Sequence, residues 1–118
     1  IELIDSGLNW AHRSFEADRA EVMQRAHAAG VGHMIITGTN TATSEAAAEL
    51  ARGGAHLSAT AGTHPHHAQE YSDTTATAIR VFAARDQVVA IGECGLYFNR
   101  NFTSPDDNRA CLRAQLES

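Results

Sequence analysis

Residues 88–96 read VVAIGECGL (Val88–Leu96), and the rest of the chain falls into place around them. Val88 to Ile91 is a short, continuous apolar run, the pattern of a buried strand. Glu93 stands at its mouth. With side chains alternating along a strand, Val89, Ile91 and Glu93 share one side, and Val88, Ala90 and Gly92 the other. A carboxylate that continues an inward apolar face is costly unless it is paired or bound to a metal. Glu93 is therefore a candidate metal ligand or general base. The plainer alternative is a carboxylate that accepts backbone N–H groups or pairs with Arg100. Cys94, beside it, has no positioned base in the sequence and reads as a small buried thiol.

Upstream, the same kind of run recurs between helical segments. Leu3 to Leu8 predicts a first strand. Ser14 predicts the cap of a helix carrying Phe15, Val22, Met23, Ala26 and Ala29 near the 3.6 period, stopped at Gly30. Val31 to Thr37 predicts a second strand. Asn40 or Thr41 predicts the cap of a helix with Ala46, Ala47, Leu50 and Ala51. His56 to Gly62 predicts a third strand. Asp73 predicts the start of a helix with Ala76, Ile79, Phe82 and Ala83. Downstream, a loop runs from Gly95 to Thr103. Ser104-Pro105-Asp106-Asp107 then combines a cap, proline at the first helical position and acids at the positive end of the dipole. The order βαβαβαβα implies parallel strands with right-handed crossovers. Two architectures satisfy it, an open doubly wound sheet or half of an eight-stranded barrel, whose full form needs about 250 residues.

The 118 residues are one domain at most. A hydrophobic fraction of 43% and a charged fraction of 19% are those of a globular chain. The net charge of -5 excludes a polyanion binder that works by bulk positive charge. Any nucleic-acid function then needs a local site or a bound cation. Cys94 and Cys111 make no disulfide framework. No apolar run approaches the roughly 18 residues of a membrane span. The opening residues lack the basic segment of a signal peptide, so a reducing cytoplasm is the expected compartment. The first residue is Ile1 rather than Met, and Ser118 lies in a helical segment. A piece of a longer chain is expected, truncated at the C-terminus and by a few residues at the N-terminus.

In both architectures ligands bind at the C-terminal ends of the strands. Gly62-Thr63-His64-Pro65-His66-His67 puts three histidines at one such end. Histidine serves as metal ligand, general acid or phosphate contact, and the alternative is a polar turn built around Pro65. Gly38-Thr39-Asn40-Thr41 has the form of a phosphate-accepting helix start. It lacks the lysine and glycine spacing of a P-loop, and a simple capped turn is the better reading. His12, His27, His33 and His56 read as structural or solvent-facing.

The segments ITGTN (Ile36–Asn40), AGTHPH (Ala61–His66), VVAIGECGL (Val88–Leu96) and FNRNF (Phe98–Phe102) together resemble the N-terminal half of the TatD family of metal-dependent deoxyribonucleases. The register extends over IDSGLN (Ile4–Asn9) and over the helix after Pro105. The resemblance implies the first four βα units of a TIM-type (β/α)8 barrel of the metal-dependent hydrolase superfamily. It implies hydrolysis of DNA phosphodiester bonds, at 3′ ends of single strands and in some members on RNA, through a water activated by a divalent metal. Mg2+ is the expected ion, with Mn2+ or Zn2+ as substitutes, and a hard cation explains how an acidic protein holds phosphate. Carried over residue by residue, Glu93 matches the acidic metal ligand, and His64 and His66 match the HPH motif at the catalytic pocket. Asn99 and Arg100 fall in the substrate-contacting loop. Where many relatives have a His-x-His pair on the first strand, this chain has Gly7 and Asn9, so Asn9 is the one oxygen donor left at that position. Tyr97 replaces an acid that the family usually carries.

The resemblance places the remaining ligands on strands five to eight, so residues 1–118 alone are expected to be catalytically silent. A half barrel is also expected to self-associate through its exposed edges. Two rival readings stand beside this one. The same superfamily hydrolyses other esters, such as aminoacyl-tRNA. A non-catalytic α/β module would instead bind phosphate at Gly38–Thr41.

Overall fold

The computed structural model describes residues 1–118. Four strands, β1 (Leu3–Leu8), β2 (Val31–Ile36), β3 (Leu57–Ala61) and β4 (Val88–Ile91), alternate with four helices, α1 (Arg19–Ala28), α2 (Thr41–Ala51), α3 (Asp73–Ala83) and α4 (Pro105–Leu116). All three strand pairs are parallel, and the sheet order is β1-β2-β3-β4. That order separates the two architectures that alternation leaves open, and agrees with the barrel that the family resemblance implies. A doubly wound sheet reverses its strand order at a switch point, whereas a barrel adds strands in one direction. The sheet here has no reversal, and the chain is built as four successive units of a barrel wall.

The core lies between the sheet and its helices. Met34 and Ile36 of β2 and Leu57 and Ala59 of β3 point into one layer with Ala47 and Ala51 of α2, closed at one end by Trp10. The alanines let α2 sit close to the strands. Alternation sends the intervening residues, His33 and Ser58 among them, to the opposite face, where His33 Nε2 and Ser58 Oγ meet at 2.9 Å. That face is the interior side of the barrel wall. At its two edges Ile4 of β1 and Val89 of β4 are exposed.

Helix boundaries follow local chemistry. Asn40 and Ser72 each form a reciprocal capping box with Thr43 and Thr75, and Ser104 accepts from the Asp107 N–H with Pro105 in the first turn. Thus Asn40, not Thr41, caps α2, and Ser72, one residue before Asp73, caps α3. The first helix corrects the sequence reading. Ser14 does not cap it. Ser14 sits in a separate 3-10 turn (Arg13–Phe15), where its N–H donates to His12 Nδ1, and α1 starts only after Asp18. Gly30 ends α1 as expected, with φ of +96°.

One close approach fixes the strand ends. A Cβ on Gly62, just past β3, would lie 2.6 Å from the backbone carbon of Gly92, just past β4. Only glycine permits that contact. Gly62→Ala is expected to part the two strand ends and to cost about 2 kcal/mol, in the range of overpacked sites. Equilibrium urea unfolding measures it, and an unchanged midpoint would show that the strand ends have room to spare.

Candidate functional site

The C-terminal ends of the four strands surround a cleft of about 590 Å³ lined by 11 residues, none hydrophobic. β1 and its following loop contribute Ser6, Gly7 and Asn9. The β2 end contributes Thr37 and Thr39, and β3 contributes Thr60. His64, His66 and His67 follow β3, and Gly92 and Glu93 follow β4. The sequence candidates His64, His66, Glu93 and Asn9 are therefore gathered into one place. Asn99 and Arg100 are not among the lining residues; both are exposed on the loop after β4. His67 belongs to the histidine cluster read from the sequence, and Thr37 and Thr39 to the second strand end; Ser6 and Thr60 are the lining side chains that carry no signal in the sequence. A single serine or threonine inside a strand, such as Ser6 or Thr60, carries no pattern that distinguishes a site residue from a structural one.

Backbone bonds hold the strand ends together. The Glu93 N–H donates to the Gly38 carbonyl at 2.8 Å, the Gly92 N–H to Ala61 at 2.9 Å, and the His64 N–H to Thr39 at 2.8 Å. Two fully buried side chains then clamp the backbone just ahead of His64. Ser44 Oγ of α2 accepts from the Gly62 N–H at 3.1 Å and donates to its carbonyl at 3.3 Å. The Gln115 amide of α4 accepts from the Thr63 N–H at 2.7 Å and donates to its carbonyl at 3.1 Å. No polar backbone group at these two residues is left unpaired, which buried backbone requires.

The clamped segment aims His64. The His66 N–H donates to His64 Nδ1 at 3.0 Å, so in the neutral ring the proton sits on Nε2. That Nε2 lies 3.5 Å from Glu93 Oε1. Burial lowers the His64 pKa from its ordinary value of 6.5, opposed by the Glu93 charge and assisted by His66 and His67. His64 is thus a neutral N–H donor at pH 7. The Glu93 carboxylate is half exposed, at 51%, so it does not carry the burial cost anticipated for it. Its partner is His64 rather than Arg100. The ring of His66 packs against His64, Tyr97 and Phe102 with centroids 4.4, 4.8 and 4.7 Å away, and its Nε2 is enclosed without a hydrogen-bond partner.

Other candidates resolve as structure. The start of α2 spends its own polar groups: Thr43 Oγ1 accepts from the N–H groups of Thr39 and Asn40, and the Thr43 N–H goes to Asn40 Oδ1. This is a self-satisfied turn, not an anion cradle. His27 bonds the Val31 carbonyl, and His56 faces Met23 sulfur. Burial raises the pKa of both Cys94 and Cys111, with the Glu93 charge adding to the shift at Cys94, so neither is an activated thiolate.

A hard divalent ion suits the exposed oxygens of Glu93 in kind. It does not find a complete site, since no group of three or more His, Cys, Asp or Glu side chains is placed to hold a metal.

Parallel strands in unreversed order, opening at their C-terminal ends onto a polar, carboxylate-and-imidazole cleft, define a βα-barrel protein with its site at the barrel mouth. Within that class the assignment is specific: the TatD related DNase family profile matches residues 4–118, and the chain belongs to that family. It is 48% identical over 115 residues to the 3′-5′ ssDNA/RNA exonuclease TatD of Erwinia tasmaniensis, covering 97% of this chain and 44% of that one. It is 46% identical over 114 residues to the protein of the same name from Escherichia fergusonii, with 97% and 44% covered. The chain thus spans less than half the length of these curated relatives. Among solved structures it superposes on YJJV, a TatD homolog of Escherichia coli K12, with a TM-score of 0.87 and 27% identity over 98% of this chain and 45% of that one. A TatD family hydrolase from Entamoeba histolytica matches with a TM-score of 0.82 and 25% identity, covering 97% and 44%. These barrels agree with the four-unit wall seen here.

The ring of His64 provides a direct check. Its folded pKa lies below the unfolded value, so the unfolded chain takes up the proton first as pH falls. The site's contribution to stability is therefore present above about pH 6.5 and is lost as pH falls toward the folded value. NMR titration of the His64 ring is expected to give a midpoint below 6.5, moved lower still in Glu93→Gln because the carboxylate is what raises it. A midpoint above 6.5, or an upward move in the variant, would contradict the geometry.

Proposed function

We propose that these residues form one partial domain, four βα units of a complete barrel that hydrolyses phosphodiester bonds at the 3′ ends of single-stranded DNA, with RNA as a further substrate. The observation that carries the reading is the pairing of His64 with Glu93 in a cleft with no hydrophobic lining, at the strand ends of a TatD-family wall. The names of the relatives, 3′-5′ ssDNA/RNA exonucleases, support the choice of substrate.

The residues present divide the work by charge. An anionic phosphodiester cannot approach Glu93 unless a cation lies between them. A divalent ion, Mg2+ or Mn2+ by the hardness of the oxygen donor, would screen that repulsion and acidify a bound water. Glu93 supplies one ligand, and the others belong to barrel strands beyond these four. His64 stays neutral with its proton on Nε2, so it offers an N–H to a phosphate oxygen or to water without adding a charge that would compete with the ion. Thr37, Thr39 and Thr60 add hydroxyl groups around the same space. Asn9 contributes a neutral oxygen where the first strand meets the cleft.

In the complete barrel, Glu93→Gln is expected to lower shortening of a 5′-labelled single strand by roughly 100-fold or more, the scale of losing a principal catalytic group. Residues 1–118 alone are expected to leave the strand intact with Mg2+ present. Wild-type rates in the variant, or metal-dependent cleavage by the 118 residues, would overturn the reading.

A further inference from the structure

The cleft is lined by hydroxyl, amide, imidazole and carboxylate groups with no hydrophobic residue among them, so it suits a phosphate. The chain carries a net charge of -5, so affinity for a strand cannot come from broad neutralisation of its backbone. A single strand still has an apolar part to bind by, the faces of its bases, and these are taken by exposed aromatic rings. The loop after β4 presents such rings beside the cleft. Phe102 is 60% exposed and rests on His66, a lining residue, at 4.7 Å between centroids. Phe98 is also exposed, but the Arg109 guanidinium lies over its ring at 5.3 Å, so one of its faces is occupied.

The loop is held while its rings face out. The Tyr97 N–H donates to Asn108 Oδ1 at 3.2 Å, and Asn108 Nδ2 bonds Thr103, whose hydroxyl donates to the Pro65 carbonyl at 3.1 Å. Asn108 is 1% exposed. Both ends of the loop therefore converge on one buried amide, and the residue next to Phe102 is tied to the proline between His64 and His66. An exposed ring on a mobile loop would lose its freedom on binding. A ring whose flanking backbone is already held has less freedom to lose.

We propose that Phe102, seated on His66 at the rim of the cleft, is the stacking platform for the base of the nucleotide whose phosphate enters the cleft. The proposal rests on the nuclease reading above and names how that site holds an unpaired strand. A paired base keeps its faces against its neighbours in the duplex, so a stacking platform at the rim favours single strands.

The test compares two strands in the complete barrel, one with an ordinary 3′-terminal nucleotide and one abasic there, for wild type, Phe102→Leu and Phe102→Trp. Wild type is expected to show a KM at least about fivefold lower for the ordinary strand, the lower end of what one stacked base contributes. Phe102→Leu is expected to lose that difference with the abasic KM unchanged, which also shows the variant folded. Phe102→Trp is expected to keep it. Equal KM values for the two strands in wild type, or an undiminished difference in Phe102→Leu, would overturn the proposal. Should wild type cleave neither strand, the nuclease reading fails, and the platform is judged by binding alone. Quenching of a 3′-terminal 2-aminopurine, present in wild type and absent in Phe102→Leu, would support it, and no quenching would overturn it.

Discussion

The site depends on how the chain is held where β3 ends. A strand end at a barrel mouth faces a conflict. It must leave the sheet to carry side chains into the cleft, yet its freed N–H and C=O groups are buried and need partners. Ser44 from α2 and Gln115 from α4 resolve the conflict at Gly62 and Thr63, each answering both the N–H and the carbonyl of one residue. An unpaired buried backbone group costs about 1–3 kcal/mol, so four such groups at one place would outweigh most local packing. Beside these clamps the ring of the next residue, His64, meets Glu93, just past β4, at 3.5 Å.

Electrostatics in the cleft follow from that placement. The His64 ring is partly withdrawn from water and near two other histidines, which favours the neutral form, while Glu93 pulls the other way. Burial prevails, and the pair is a carboxylate facing a neutral N–H donor rather than an ion pair. Such an arrangement leaves the negative charge of Glu93 uncancelled and available to a cation. Thr60 plays a quieter part. Its hydroxyl accepts from the Gly38 N–H at 3.2 Å, tying the β2 end to β3 across the interior face.

Much of this was legible in the sequence because it rests on local rules. The apolar run of β4, the caps at Asn40 and Ser104 and the stop at Gly30 are short-range signals, and the structure reproduces them. The cluster at His64 and the acid at Glu93 were readable as strand-end residues, and their resemblance to a family motif named the fold. Other features lay out of reach for a physical reason. Phe15 fits the helical period and draws the predicted first helix too early, while the bond from the Ser14 N–H to His12 makes a separate 3-10 turn first. Gln115 lies 52 residues from Thr63, and a buried glutamine inside a helix looks no different in sequence from an exposed one. Alternation alone does not choose between an open sheet and a barrel; the family resemblance does, and the strand order agrees with it. Asn99 and Arg100 are candidates by motif position alone, and both lie on an exposed loop outside the cleft lining.

The central claim is that Glu93 presents its carboxylate to a cation shared with the rest of the barrel. A crystal of the complete barrel soaked in Mn2+ tests it most directly, through an anomalous difference map at the strand ends. The account predicts a peak at metal–oxygen bonding distance, about 2 Å, from a Glu93 oxygen. A map with its metal peaks elsewhere, and none within reach of that side chain, would contradict it.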